Sequence, residues 1–185
     1  MSEVEDRALP SFQEIVGARG PHPAHTKELM LFGQFVGSWD VESHQRAPDG
    51  TERTLHGEWH FFWALEGRAI QDVIIAPRRN ERDSNRWQMG DYQTAVRFYR
   101  PDDGTWDVTA ISPPNNQVHR LVARQIGDKI VLEGVRPDGK PQRWSFYEIT
   151  EARCRWRGEV SFDGGSSWFV DEEMVLTRRR TQSTR

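Results

Sequence analysis

A chain of 185 residues and 21.5 kDa has the size of one domain, or of one domain with a tail. Its 36% hydrophobic and 29% charged residues, with a mean hydropathy of -0.79, exclude a membrane-spanning or disordered chain, because eight Trp and nine Phe need a core or a ring-rich pocket. Twenty-two Arg and three Lys are scattered among 28 acids for a net charge of -3, so no broad positive field exists to hold a phosphate backbone, and nucleic acid is not an expected partner.

Residues 1–25 mix charges with Pro10, Gly20, Pro21 and Pro23 and read as a poorly structured arm, apart from one short turn around Phe12–Val16. Glu3, Glu5, Asp6 and Arg7 stand where a signal peptide needs an apolar run, so a cytoplasmic protein with no membrane partner is expected. Thr26 reads as the N-cap of a helix whose apolar stripe, Leu29, Met30, Phe32 and Phe35, ends at Gly37. From Ser38 the period is 2, cut by turn clusters such as Pro48-Asp49-Gly50, Pro101-Asp102-Asp103-Gly104 and Pro137-Asp138-Gly139. These predict strands near 38–46, 53–64, 69–77, 91–100, 105–112, 117–126, 129–136, 141–149, 154–162 and 167–178. The charged gap from Pro77 to Met89 reads as a solvated loop that holds Trp87, and Arg178-Arg179-Arg180 as a solvated basic end.

Short strands in hairpin succession without crossover helices cannot make a parallel sheet. The expected fold is all-β: an antiparallel up-and-down β-barrel of about ten strands, filling residues 26–185 as a single domain after a short helix. A two-sheet sandwich is the alternative. A barrel of this size encloses room for one small ligand.

The stretch Leu31 to Val41, with Gly37-Ser38-Trp39 at its centre, resembles the helix-to-first-strand signature of the lipocalin and calycin group, in which Gly-x-Trp opens strand one and the Trp plugs the barrel. Leu65-Glu66-Gly67-Arg68 and the stretch Phe162 to Trp168 add to a likeness, in outline over residues 28–178, to uncharacterised bacterial lipocalin-like proteins. The resemblance implies a barrel with a cavity and no settled activity. The heme-binding nitrobindin type shares the Gly-x-Trp start but would place an axial His late in the chain, where this sequence has none after His119. No cofactor is therefore expected.

The turn at Glu66-Gly67 pairs Leu65 with Arg68 and sorts the flanking strands into two faces. Trp59, Phe61, Trp63, Ile70, Asp72 and Ile74 share one; His56, Glu58, His60, Phe62, Gln71, Val73 and Ile75 share the other, and the sequence leaves open which points inward. His56, Glu58 and His60 suggest a metal site, but residues four apart on a strand are ~13 Å apart, beyond one ion's reach, so no metal is expected. Glu58 and His60 instead form a candidate acid/base pair, with Gln71 to orient a carbonyl. Asp72 is the competing catalytic carboxylate, and Glu172 repeats its setting in phase with Trp168, Val170, Met174 and Leu176. Arg97 and Tyr99, facing Trp106 across a turn, are candidate partners, and an Arg against a ring also suits an anionic substrate. Cys154 stands alone, which rules out an intrachain disulfide, fits a reducing compartment and reads as packing.

Two functions remain. One is a binding module for a small hydrophobic or aromatic molecule, with Trp59, Trp106, Gln71, Arg97, Tyr99 and Glu172 as contacts. The other is a cofactor-independent cyclase, isomerase or lyase working through Glu58, His60 or Asp72. Either is compatible with a homodimer.

Overall fold

Each Pro/Asp/Gly cluster turns the chain back beside the strand it has just left. In the computed structural model, which describes residues 10–83, 86 and 90–180, the described residues form ten antiparallel strands. They are β1 (Gly37–Arg46), β2 (Glu52–Ala64), β3 (Ala69–Ala76), β4 (Asp91–Arg100), β5 (Thr105–Ser112), β6 (Gln117–Ile126), β7 (Lys129–Val135), β8 (Pro141–Tyr147), β9 (Arg153–Val160) and β10 (Phe169–Arg178). Every strand pairs with its sequence neighbour and β1 pairs with β10, closing the barrel and excluding the sandwich. Closure leaves no open edge to pair with another chain.

The β2–β3 register answers the question of faces. Trp59 lies opposite Ile74, Phe61 opposite Asp72 and Trp63 opposite Ile70, and this aromatic face points inward. The turn itself takes four residues, 65–68, rather than two: Leu65, Glu66 and Gly67 all have positive φ, and Ala64 pairs with Ala69. The longer turn is symmetric about the same centre, so the register is unchanged.

One end of the barrel is closed by helix α2 (Thr26–Gly33). Phe32 and Phe35 are fully buried against Trp106, Phe146, Trp39 and Phe61, with ring centroids 4.8–6.2 Å apart. A fully buried Phe contributes about 1.5–3 kcal/mol relative to an exposed one, so this aromatic plug fixes the end. Trp39 completes it, its Nε1 donating to Phe35 O at 2.7 Å. The helix stops at Gly33 rather than Gly37, and Thr26 does not cap it. The Thr26 hydroxyl donates back to the His22 and Pro23 carbonyls of a preceding 3₁₀ turn, Pro23–His25. Gly33 sits where a Cβ would lie 2.5 Å from the Trp63 ring.

Ahead of this, helix α1 (Phe12–Val16) opens with a Ser11/Glu14 capping box. The chain then bonds to the plugged end: Leu65 N donates to Val16 O, Ala18 N to Trp63 O and His22 N to Gly67 O. Residues 1–9 of the expected arm, and Trp87 in the Pro77–Met89 segment, lie outside the described residues. The basic end is not merely solvated. Arg178 stacks 4.1 Å over the Trp39 ring and donates to the Val36 and Gln34 carbonyls, while Arg179 pairs with Asp40 and Glu58.

Candidate functional site

Beyond the aromatic plug the barrel is hollow. A cavity of about 210 Å³ opens towards the end formed by the β1–β2, β3–β4, β5–β6, β7–β8 and β9–β10 connections. Period 2 along each strand supplies its wall: Trp59 from β2, Ile74 from β3, Ala95 from β4, Ala110 from β5, Trp144 from β8, and Trp156 and Met174 from β9 and β10. Trp156 lies 6.4 Å from Trp59 and 5.7 Å from Trp144 between ring centroids, so three indoles form one continuous apolar side.

The floor holds an ion pair. Arg97 is bonded to Asp72, both 2% exposed, and Trp59 Nε1 donates to Asp72 Oδ1 at 2.6 Å. The Phe32 and Phe61 rings flank the guanidinium at 5.3 and 5.6 Å. Burial lowers the Arg97 pKa, while the adjacent carboxylate keeps the group protonated at neutral pH. Arg97 is therefore paired with Asp72, while its Nε has no hydrogen-bond partner among the described residues.

The mouth is polar. Glu172 Oε1 accepts from Ser43 Oγ at 2.6 Å and Gln45 Nε2 at 2.8 Å. Burial, reinforced by the charge of Asp91, pushes its carboxyl up to about 7. His119 Nδ1 lies 2.9 Å from Gln142 Oε1, and burial holds the ring below the ordinary imidazole pKa. Gln142 is 1% exposed and its Nε2 has no partner. Arg136 is paired with Asp171. A bulge between Val170 and Glu172 brings both acids, Asp171 and Glu172, to the cavity and turns Val170 outward. Trp168 also lies outside, against Arg143 at 4.0 Å. Gly158, opposite Glu172, leaves this corner open: a Cβ there would meet the Trp156 ring at 2.9 Å and Asp171 Oδ1 at 3.0 Å.

Of the residues singled out from the sequence, Trp59, Asp72, Arg97 and Glu172 meet at the cavity. The Tyr99 and Trp106 rings meet at a tilt, 5.9 Å apart, at the plugged end, with His25 against Tyr99 and Phe32 against Trp106. Glu58, His60 and Gln71 lie on the outer wall. Glu58 is covered by Arg79 and Arg179, and hydrogen bonding from Arg79 holds its carboxyl down at about 2. His60 bridges Ser38 and Glu58, and Gln71 donates to Thr94 Oγ1 at 3.3 Å. A carboxylate neutralised by two guanidinium groups outside the barrel is not poised to move a substrate proton in the cavity. Cys154 is fully buried with its thiol pushed up to about 12 by burial, which leaves it inert. Among the described residues no group of three or more His, Cys, Asp or Glu is placed to hold a metal.

His119, Gln142, Arg136 and Asp171 were not foreseen as site residues. His119 was legible, because it shares a phase with the apolar Leu121 and Ala123. Asp171 was not, since the bulge breaks the period that places it.

The site defines a closed ten-stranded antiparallel barrel with an indole-walled cavity and a charged mouth. No family model and no curated protein matches the chain. Solved structures do: Rv2717c from M. tuberculosis is 17% identical with a TM-score of 0.57, covering 83% of this chain and 98% of that one. The S-type phycobiliprotein lyase CPES from Guillardia theta is 10% identical with a TM-score of 0.57, covering 94% and 100%. At these identities the likeness is one of fold.

Proposed function

We propose that the barrel binds a small aromatic molecule in its cavity. The observation that carries this reading is the side formed by Trp59, Trp144 and Trp156, facing an enclosed space and backed by Met174 and Ile74. Indoles fully committed to packing leave no hollow; here three of them line one, with polar groups confined to one end to set orientation. The Gly37-Ser38-Trp39 opening, with Trp39 in the plug, supports placing the barrel with the lipocalin and calycin group. Cytoplasmic residence, part of the same proposal, fits a sequence whose one cysteine, Cys154, is buried.

Titration with small aromatic compounds while following Trp emission tests the reading. Saturable quenching is expected, weakened at least about tenfold in Trp144→Ala, the loss of one stacking partner. Linear, non-saturating quenching by every aromatic compound tried would end it.

A second reading, acid/base catalysis on the bound molecule, is favoured by Glu172: a cavity carboxyl with a pKa near neutrality holds its proton and gives it up over the same pH range. One barrel of similar fold is named a lyase. Turnover that survives Glu172→Gln unchanged would remove Glu172 from such a role.

A further inference from the structure

The charge of the cavity is unbalanced. Four carboxyl groups reach it, Asp72, Asp91, Asp171 and Glu172, against the two guanidinium groups of Arg97 and Arg136. Arg97 is bonded to Asp72 and Arg136 to Asp171, which leaves Asp91 and Glu172 without an ion-pair partner among the described residues. Among the described residues the Asp91 carboxylate accepts from amides, Asn115 Nδ2 at 3.0 Å and Gln45 Nε2 at 3.5 Å. Both hydrogen bonds to Glu172 fall on Oε1; its Oε2 has none among the described residues. Other basic groups near this rim are engaged: Arg53 on Gln45 Oε1, Arg46 on Glu52, and Arg82 on the Ala76 and Asp91 carbonyls. Gln142 Nε2 and the Nε groups of Arg97 and Arg136, buried donors of the cavity lining without a hydrogen-bond partner among the described residues, point to a ligand that also brings an acceptor atom.

Resting on the aromatic-binding reading of this cavity, we propose that the ligand is a small aromatic cation, a protonated arylalkylamine with a hydrogen-bond acceptor on its ring. The ring lies among Trp59, Trp144 and Trp156, and the ammonium group lies against Asp91 and Glu172. Indole faces attract cations through their quadrupole, most strongly when water is excluded, and two uncompensated carboxyl groups reject an anion of the same shape. The groups facing Glu172 are Ser43 and Gln45 on β1, Asp91 on β4, Arg136 after β7 and Asp171 on β10, with His119 across the mouth. Burial first, and then the charges of Asp91 and Asp171, push the Glu172 carboxyl up to about 7. A bound cation stabilises the carboxylate, so binding expels the Glu172 proton wherever it is still held. The affinity for a cation therefore rises with pH up to about 7 and then levels off.

Calorimetric titration of the full chain with phenethylamine, 2-phenylethanol and 3-phenylpropionate, at pH 6 and pH 8, tests this. The three share ring and chain length and differ in charge, and phenethylamine stays protonated throughout. At pH 8 phenethylamine is expected to bind at least about tenfold tighter than 2-phenylethanol, with 3-phenylpropionate weakest. Its affinity falls about tenfold at pH 6, as the linkage requires. In Glu172→Gln, which keeps the Ser43 and Gln45 contacts, the pH dependence disappears and phenethylamine weakens while 2-phenylethanol does not. Asp91→Asn supplies the same comparison from the mouth should Glu172→Gln not fold. Equal or tighter binding of 2-phenylethanol or 3-phenylpropionate, or phenethylamine binding insensitive to both variants, overturns the cation and leaves the aromatic reading standing. No binding by any of the three overturns both.

Discussion

Arg97 on β4 is ion-paired with Asp72 on β3 beneath the cavity, two residues along β3 from its direct partner Ile70. Both are 2% exposed, so neither charge has water to fall back on. Asp72→Ala leaves the guanidinium buried between Phe32 and Phe61 with no counter-ion, which is expected to cost about 3–5 kcal/mol. The double variant Asp72→Ala/Arg97→Met removes both charges and is expected to regain much of that loss. Urea denaturation measures each; a single variant within about 1 kcal/mol of the parent would show that the pair does not hold the floor together.

Much of this arrangement was legible in the sequence, and the limits are physical. Alternation from Trp59 to Trp63 and from Ile70 to Ile74 fixes which residues share a face, and Pro/Asp/Gly clusters fix where strands end, so topology and register follow locally. Which face points inward depends on the closed barrel, not on either strand. The outer row of Glu58, His60 and Gln71 looks like a site in one dimension because the guanidinium groups that neutralise Glu58, those of Arg79 and Arg179, come from a loop and from the far end of the chain. The acids at the mouth were hidden by the bulge at Asp171, where two consecutive residues both reach the cavity.

Glu172 gives the protein a stability that falls as pH rises. Its carboxyl titrates at about 7 in the folded chain against an ordinary 4.5, so between these values the folded state binds more protons than the unfolded one. The penalty accumulates across pH 4.5 to 7 and reaches at most about 3 kcal/mol. Glu172→Gln is accordingly expected to match the parent near pH 4 and exceed it at pH 8. Urea midpoints for both proteins at the two pH values check this, and a parent that is the more stable one at pH 8 contradicts it.

Glu58 acts in the opposite sense. Hydrogen bonding from Arg79 holds its carboxyl at about 2, so its stabilisation is complete above 4.5 and is lost as pH falls from there towards 2. Arg79 is well exposed, so screening reduces the contribution to about 1 kcal/mol. Glu58→Gln is expected to be less stable than the parent by that amount at pH 6, with the difference shrinking by pH 3. Because Glu58 ties both Arg79 and Arg179 to the outer wall, protease cleavage after these two residues should also be faster in the variant at pH 6. Equal cleavage rates would mean that the loop and the chain end are held by other contacts.

Helix α2 seats against β2 through an absent side chain. A Cβ at Gly33 would lie 2.5 Å from two atoms of the Trp63 ring and 3.0 Å from Met30 Sδ, closer than packed atoms approach. Gly33→Ala therefore has to displace either the helix or the indole, and although alanine favours the helix intrinsically by about 0.8–1 kcal/mol, overpacking of about 1–3 kcal/mol opposes it. The net expectation is a loss of up to about 2 kcal/mol with a shift in the emission of Trp63, which is 8% exposed in the closed plug. Trp63→Phe in the same background shortens the ring that collides and should restore the lost stability. A Gly33→Ala protein more stable than the parent would show that α2 closes the barrel without this close approach.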